Sequence, residues 1–113
     1  MHELAIIEET FRVILKIAHE NRLEKIDGVT MEIGEYRQVD PSIFKFAFDA
    51  AREGTIASEA WLDIEIQPLQ MQCEGCDNTF YVKKSLYKCP RCGDSNLRTV
   101  KGLDIFIKSI EGE

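Results

Sequence analysis

The chain has 113 residues, of which 44% are hydrophobic and 30% charged, a composition typical of one compact globular domain or of one domain with a small appendage. Its formal net charge of −6 argues against nucleic acid as a partner, because a phosphate-binding surface is normally basic. No apolar run reaches the roughly eighteen residues that a membrane span needs, and the start lacks the pattern of a secretory signal, so we expect a cytoplasmic protein without membrane insertion.

Two amphipathic helices are predicted in the first half of the chain. Apolar residues at three- and four-residue steps predict the first helix from about residue 3 to 22. Asp40 and Pro41 predict the start of the second helix, and Gly54 predicts its end in a left-handed conformation. The two apolar stripes are formed by Leu4, Ile7, Phe11, Ile14 and Ala18, and by Phe44, Ala47, Phe48 and Ala51.

Three segments alternate apolar and polar residues with the period of a half-buried strand. They are centred on Met31, Ile64 and Ile105, and the first follows the turn signal Asp27-Gly28. The last segment has few apolar neighbours of its own, so we expect it to return to the sheet formed by the other two. The predicted fold class is α+β, with a small sheet of about three strands, two helices and an inserted zinc-ribbon module of β-hairpins.

This order of elements predicts a discontinuous domain organisation. Residues 1–68 and 103–113 are expected to form one α/β domain, and residues 69–102 a zinc-ribbon domain. The inserted segment carries six Lys or Arg against three Asp or Glu, whereas the remainder carries eight against seventeen. The predicted hinges are residues 68–70 and 101–102.

The four cysteines form two Cys-x-x-Cys knuckles, Cys73/Cys76 and Cys89/Cys92. Two such turns present four sulfurs to one tetrahedral ion, and in a reducing compartment this spacing favours a metal site over disulfides. We expect structural zinc. No histidine or carboxylate lies at ligand spacing, so the four-sulfur site has no evident open coordination position for catalysis. Iron in a rubredoxin-like knuckle is the rival interpretation, since Cys89-Pro90-x-Cys92-Gly93 resembles that electron carrier.

The start of the chain indicates a second kind of metal site. The free amine of Met1, the main-chain nitrogen of His2 and its imidazole can chelate one ion in a plane, which suits Ni(II) or Cu(II) better than zinc. The fourth position is open to the main-chain nitrogen of Glu3, its carboxylate, water or a ligand from a partner. We expect the terminus to be exposed, as transfer of the ion requires.

Taken alone, a histidine at position 2 is more often an accident of a solvated end than a ligand, and His19 is better interpreted as a surface residue. A zinc-ribbon module for protein or nucleic-acid interaction therefore stays an alternative, in which His2 is incidental. A hydrolase has little support, because no serine or thiol nucleophile has a recognisable histidine partner.

The motifs together resemble the HypA family of hydrogenase maturation factors. The resemblance spans the whole chain and rests on Met1-His2-Glu3-Leu4, Ile33-Gly34-Glu35, Pro41-x-x-Phe44-x-x-Ala47-Phe48 and the two cysteine knuckles.

The resemblance implies a nickel metallochaperone, not an enzyme, that delivers Ni(II) to the [NiFe]-hydrogenase large subunit together with the GTPase HypB. It implies that His2 is the essential nickel ligand, that Met1 and Glu3 contribute terminal nitrogens, and that Cys73, Cys76, Cys89 and Cys92 hold structural Zn(II). Some relatives also serve urease, through urease accessory proteins. We expect a monomer or a homodimer.

Overall fold

The computed structural model describes residues 2–84 and 86–113, and of His2 it describes only the main chain. The predictions for Met1 and for the His2 imidazole therefore fall outside the described residues. The helices are α1 (His2–Glu20) and α2 (Pro41–Ala51), and a 3-10 turn spans Glu35–Arg37. The strands are β1 (Ile26–Gly34), β2 (Trp61–Gln67), β3 (Gln70–Cys73), β4 (Thr79–Tyr81), β5 (Leu97–Lys101) and β6 (Ile105–Gly112).

The strands form two three-stranded sheets, ordered β2-β1-β6 and β4-β3-β5. The last strand of the chain, β6, thus lies beside β1, as its lack of other apolar neighbours predicted. In the second sheet, β3 pairs antiparallel with both β4 and β5. The predicted α+β class, with two helices and small three-stranded sheets around a four-cysteine cluster, is confirmed.

The chain divides into two compact units. The first contains the chain up to Glu32, Val39–Glu65 and Phe106–Glu113, and the second contains Ile33–Gln38 and Ile66–Ile105.

Main-chain and side-chain hydrogen bonds hold the short segment Ile33–Gln38 within the second unit. The N–H of Gly34 donates to the carbonyl of Asp104 at 2.7 Å, and the N–H of Leu69 donates to Glu35 Oε1 at 3.1 Å. Such bonds between residues remote in the sequence leave no trace in local periodicity.

The apolar core of the first unit lies between its helices and sheet. Phe11 of α1 meets Phe48 of α2 edge to face, with ring centroids 5.6 Å apart. Burying each such ring stabilises the fold by about 1.5–3 kcal/mol. The predicted stripes supply most of this core, but Leu4 in the first turn of α1 is 45% exposed. The fully or almost fully buried side chains of the two helices are Ile7, Phe11, Ile14, Ala18, Phe44, Ala47 and Phe48.

Helix α2 starts where the sequence predicted. Asp40 has extended backbone, and its Oδ1 accepts hydrogen bonds from the N–H groups of Ser42 (2.9 Å) and Ile43 (3.5 Å). The predicted end was placed too late: the helix ends at Ala51, and Arg52 follows with right-handed backbone. Gly54 does have a positive φ of 75°, but it lies in the turn beyond the helix.

The turn predicted at Asp27-Gly28 is wrong, because both residues lie inside β1. Gly28 is there because the indole of Trp61 lies against it: an added Cβ would be 2.0 Å from Trp61 Cε2. β1 is the central strand of its sheet and is buried over most of its length, so it is not the half-buried strand that the alternation predicted. Among the described residues, no helix has the length and apolar character needed to cross a membrane.

Candidate metal centre

The second sheet positions the two cysteine knuckles. Strand β3 ends at Cys73, and the following turn closes with the Asp77 N–H donating to the Cys73 carbonyl at 2.9 Å. The second knuckle closes in the same way, with the Gly93 N–H donating to the Cys89 carbonyl at 2.8 Å. Gly93 has a φ of 78°, a left-handed conformation that glycine adopts at no steric cost.

The two knuckles bring all four predicted cysteines together. Their Sγ atoms all lie within 4.8 Å of one another, with Cys73 and Cys92 3.5 Å apart and Cys76 and Cys89 3.6 Å apart. The Cys73 and Cys89 side chains are buried, whereas Cys92 is exposed. Among the described residues, the four cysteines are the group of metal-ligating side chains close enough together to share one ion.

The donor set fits zinc. A tetrahedron with Zn–S bonds of about 2.3 Å has edges of about 3.8 Å, close to the two measured Sγ–Sγ distances. Both distances far exceed the roughly 2.05 Å of a disulfide, and all four cysteines are free thiols. Bound there, zinc would be held by Cys73, Cys76, Cys89 and Cys92 as a closed structural site. The fit of this cluster to structural zinc agrees with the sequence analysis.

Hydrogen bonds and burial shift the pKa values of Cys89 and Cys92 in opposite directions. Burial raises the pKa of Cys89, but N–H groups of Cys92 and Arg91 and the side-chain amide of Asn78 together lower it to about 6. At Cys92 a main-chain hydrogen bond from Asp94 lowers the pKa, but the neighbouring thiols and burial outweigh it and raise the pKa to about 12. The thiols therefore cannot all ionise without a cation among them, which a divalent metal ion supplies.

Sequence reasoning missed two residues that support the cluster. The Asn78 side chain donates from Nδ2 to the Sγ of Cys89 at 3.7 Å, and the Asn78 carbonyl accepts from the Cys73 N–H at 2.9 Å. The sequence signal that could have identified Asn78 is its position two residues after a Cys-x-x-Cys pair. The carboxylate of Asp94 lies beside Gly75, where an added Cβ would be 2.9 Å from Asp94 Oδ2.

The predicted nitrogen site lies at the start of α1, which begins at His2. Of the three predicted ligands, Met1 and the His2 imidazole are outside the described residues. The Glu3 side chain accepts a hydrogen bond from the Asp40 N–H, with an N···Oε2 distance of 3.2 Å, so the start of α1 is joined to the N-cap of α2. His19 is exposed in the last turn of α1.

The fold and the cluster define a small α+β protein with a four-thiolate zinc ribbon. Residues 1–112 match the family described as "Hydrogenase/urease nickel incorporation, metallochaperone, hypA". The chain belongs to the HypA family of nickel-incorporation metallochaperones for hydrogenase maturation, as the resemblance in its motifs indicated.

Relatives and solved structures agree along the full length of the chain. The chain is 34% identical to hydrogenase maturation factor HypA of Aquifex aeolicus over 113 residues, covering 100% of this chain and 98% of the relative. It is 37% identical to hydrogenase maturation factor HypA of Picosynechococcus sp. over 111 residues, 98% of each protein. The solution structure of the Ni metallochaperone HypA from Helicobacter pylori has a TM-score of 0.72 and 26% identity, covering 97% of this chain and 96% of that one.

Proposed function

We propose that this protein is a nickel carrier that takes up Ni(II) at its amino terminus and delivers it during the maturation of [NiFe]-hydrogenase. The ligands are the Met1 amine, the His2 main-chain nitrogen and imidazole, and a fourth donor at Glu3. The observation that carries the proposal is the family match, which spans residues 1–112 and so includes this terminal tripeptide.

The start of α1 supports a role for main-chain nitrogens. The first four N–H groups of an α-helix have no acceptor within the helix. Because α1 begins at His2, metal binding by the main-chain nitrogens of His2 and Glu3 breaks no helical hydrogen bond. Ni(II) favours planar nitrogen ligands and can drive the loss of a peptide proton.

Charge at this end of the helix supports reversible binding. The N-terminal end of a helix is partly positive and disfavours a bare cation. A deprotonated amide and the Glu3 carboxylate in the first turn offset that repulsion. We expect an ion that binds but can still exchange, as a carrier requires.

The remaining assignments follow from this role. Residues 1–68 and 103–113 would form the nickel-binding domain and residues 69–102 the zinc-ribbon domain, although the short segment Ile33–Gln38 belongs to the second compact unit. Cys73, Cys76, Cys89 and Cys92 would hold Zn(II). The partners would be the GTPase HypB and the hydrogenase large subunit in the cytoplasm, met by a monomer or a homodimer that acts without catalysing a reaction. The net charge of −6 supports protein partners over nucleic acid.

Urease would be a second destination for the nickel that this carrier delivers. The matching family is described for both hydrogenase and urease nickel incorporation. Binding of the nickel-loaded protein to urease accessory proteins, measured beside binding to HypB, tests whether this chain serves both.

A nickel titration of the untagged protein tests the proposal. His2→Ala should abolish stoichiometric Ni(II) binding while leaving one zinc per chain and an unchanged circular dichroism spectrum. His19→Ala is the matched control, because it removes the other histidine, which is exposed at the far end of α1, and should bind nickel normally. Equal nickel binding by wild type and His2→Ala would refute the terminal site.

A further inference from the structure

The second compact unit carries an apolar pocket that neither metal site uses. Its volume is about 390 Å³, and it is lined by Phe80, Tyr81, Lys83, Leu86, Lys88 and Pro90. Leu86 is 62% exposed and Tyr81 48% exposed, so the apolar side chains at this pocket are accessible to solvent. Contiguous exposed apolar surface around a cavity marks a binding site more often than a chance feature.

Positively charged side chains line part of this pocket. Two of its six described lining residues are lysines, and none is acidic. A third cation, Lys101, holds its Nζ 5.8 Å from the centre of the Tyr81 ring. Tyr81 in β4 and Lys101 in β5 both lie opposite Gln70 of β3, so the antiparallel sheet fixes this pair in place.

This arrangement selects the chemistry of an occupant. An apolar cavity takes an aliphatic or aromatic side chain, and a lysine rim takes carboxylates on either side of it. A nucleic-acid strand could also stack on Tyr81, but a long polyanion would meet a protein of net charge −6. A short acidic segment meets only the lysines.

We propose that this pocket is a docking site for an acidic segment of a partner protein that inserts one large apolar side chain between Lys83 and Lys88. The apolar side chain fills the space bounded by Phe80, Leu86 and Pro90, and flanking carboxylates pair with the lysines. The site goes beyond nickel binding at the terminus, since every residue that forms it belongs to the second unit.

Titration of the zinc-loaded, 15N-labelled full chain with synthetic peptides tests the site. The probe is a six-residue peptide with leucine and phenylalanine at its centre and two acidic residues on each side. One control peptide replaces the acidic residues with their amides, a second replaces the two apolar residues with serine, and a third probe is a six-nucleotide oligothymidylate.

The acidic apolar peptide should shift amide resonances around residues 80–90, and raising the salt concentration should weaken its binding. Both control peptides should bind at least about fivefold more weakly, because one loses the carboxylates that pair with the lysines and the other loses the apolar side chains that fill the cavity. Lys83→Glu/Lys88→Glu should weaken binding to the same degree. The matched control Lys16→Glu/Lys45→Glu makes the same change in net charge at exposed residues of α1 and α2 and should bind normally.

Zinc content and the dispersion of the amide spectrum show that each variant is folded, so lost binding cannot be confused with unfolding. The proposal is overturned if no peptide shifts these resonances at millimolar concentration, or if the serine control binds equally well. Tighter binding of the oligothymidylate than of the acidic peptide would also overturn it, in favour of a nucleic-acid site. Loss of terminal nickel binding would leave this result unchanged, so the two proposals fail separately.

Discussion

The Asp40 N–H donates a hydrogen bond to the Glu3 carboxylate, joining residues 37 positions apart at an N···Oε2 distance of 3.2 Å. Asp40 is also the N-cap of α2, so one residue organises the starts of both helices. The proposed nickel site thereby rests on a residue whose position the fold restrains. Restraint of Glu3 also favours its main-chain nitrogen over its carboxylate as the fourth nickel ligand.

Glu3→Ala should lower the free energy of unfolding by about 0.5–1.5 kcal/mol, because it removes the acceptor for the Asp40 N–H and a favourable charge in the first turn of α1. Urea unfolding followed by circular dichroism measures this loss. Glu8→Ala, an exposed change further along the same helix, is the control and should have a smaller effect. Equal stability of the Glu3 variant and wild type would show that the contact contributes nothing.

Asp40→Ala should cost about 1 kcal/mol of stability, because the first N–H groups of α2 lose their side-chain acceptor. Asp40→Asn should retain most of the stability, since an amide oxygen can accept the same bonds from Ser42 and Ile43. Thermal unfolding of the two variants compares them directly. A large loss in the asparagine variant would mean that the charge, and not the cap, matters.

Gly28→Ala should destabilise the protein by about 1–3 kcal/mol, because the new methyl group overlaps the Trp61 indole. In a Trp61→Ala background the same change should cost much less, since the obstructing ring is gone. Tryptophan fluorescence of the single variant should report a more exposed indole. Additive costs in the double variant would rule out this contact as the reason for the glycine.

Asp40 and Gly28 also show where prediction from the sequence succeeds and where it fails. The α2 cap was predictable because Asp40 and Pro41 act on their immediate neighbours, and the cysteine cluster because ligand spacing is local. Gly28 was mistaken for a turn residue because the reason for the glycine is Trp61, which arrives from another strand. The segment Ile33–Gln38 has the same character: its bonds to Leu69, Gly102 and Asp104 give no local pattern.

Zinc affinity should fall steeply with decreasing pH. The pKa values of Cys76 and Cys92 are raised above the usual thiol range, so at neutral pH zinc binding must displace their protons. Cys89, with a pKa of about 6, is already largely ionised at neutral pH, so protons compete with zinc for its sulfur only below about pH 6. Each displaced proton weakens the apparent affinity about tenfold per pH unit, so the protons of Cys76 and Cys92 alone give about a hundredfold loss between pH 8 and 7.

Competition with a chromophoric chelator measures this dependence. Asn78→Ala should raise the pKa of Cys89 and make zinc release begin at a higher pH, because the thiolate loses the amide donor at 3.7 Å. Asn96→Ala is the matched control, because it also removes an asparagine side chain near the knuckles, but one without a described hydrogen bond to a cysteine. A pH-independent zinc affinity would contradict ligation by thiolates that are protonated in the metal-free protein.

The proposed nickel site consists of an unblocked amine and the nitrogens next to it. X-ray absorption at the nickel edge should be measured on the untagged protein and on a variant with one glycine added before Met1. We predict a planar first shell of nitrogen ligands without sulfur in the native protein, and loss of that shell in the extended variant while one zinc per chain is retained. A nickel shell containing sulfur, or an identical spectrum from the extended variant, would show that nickel is not bound by the terminal nitrogens.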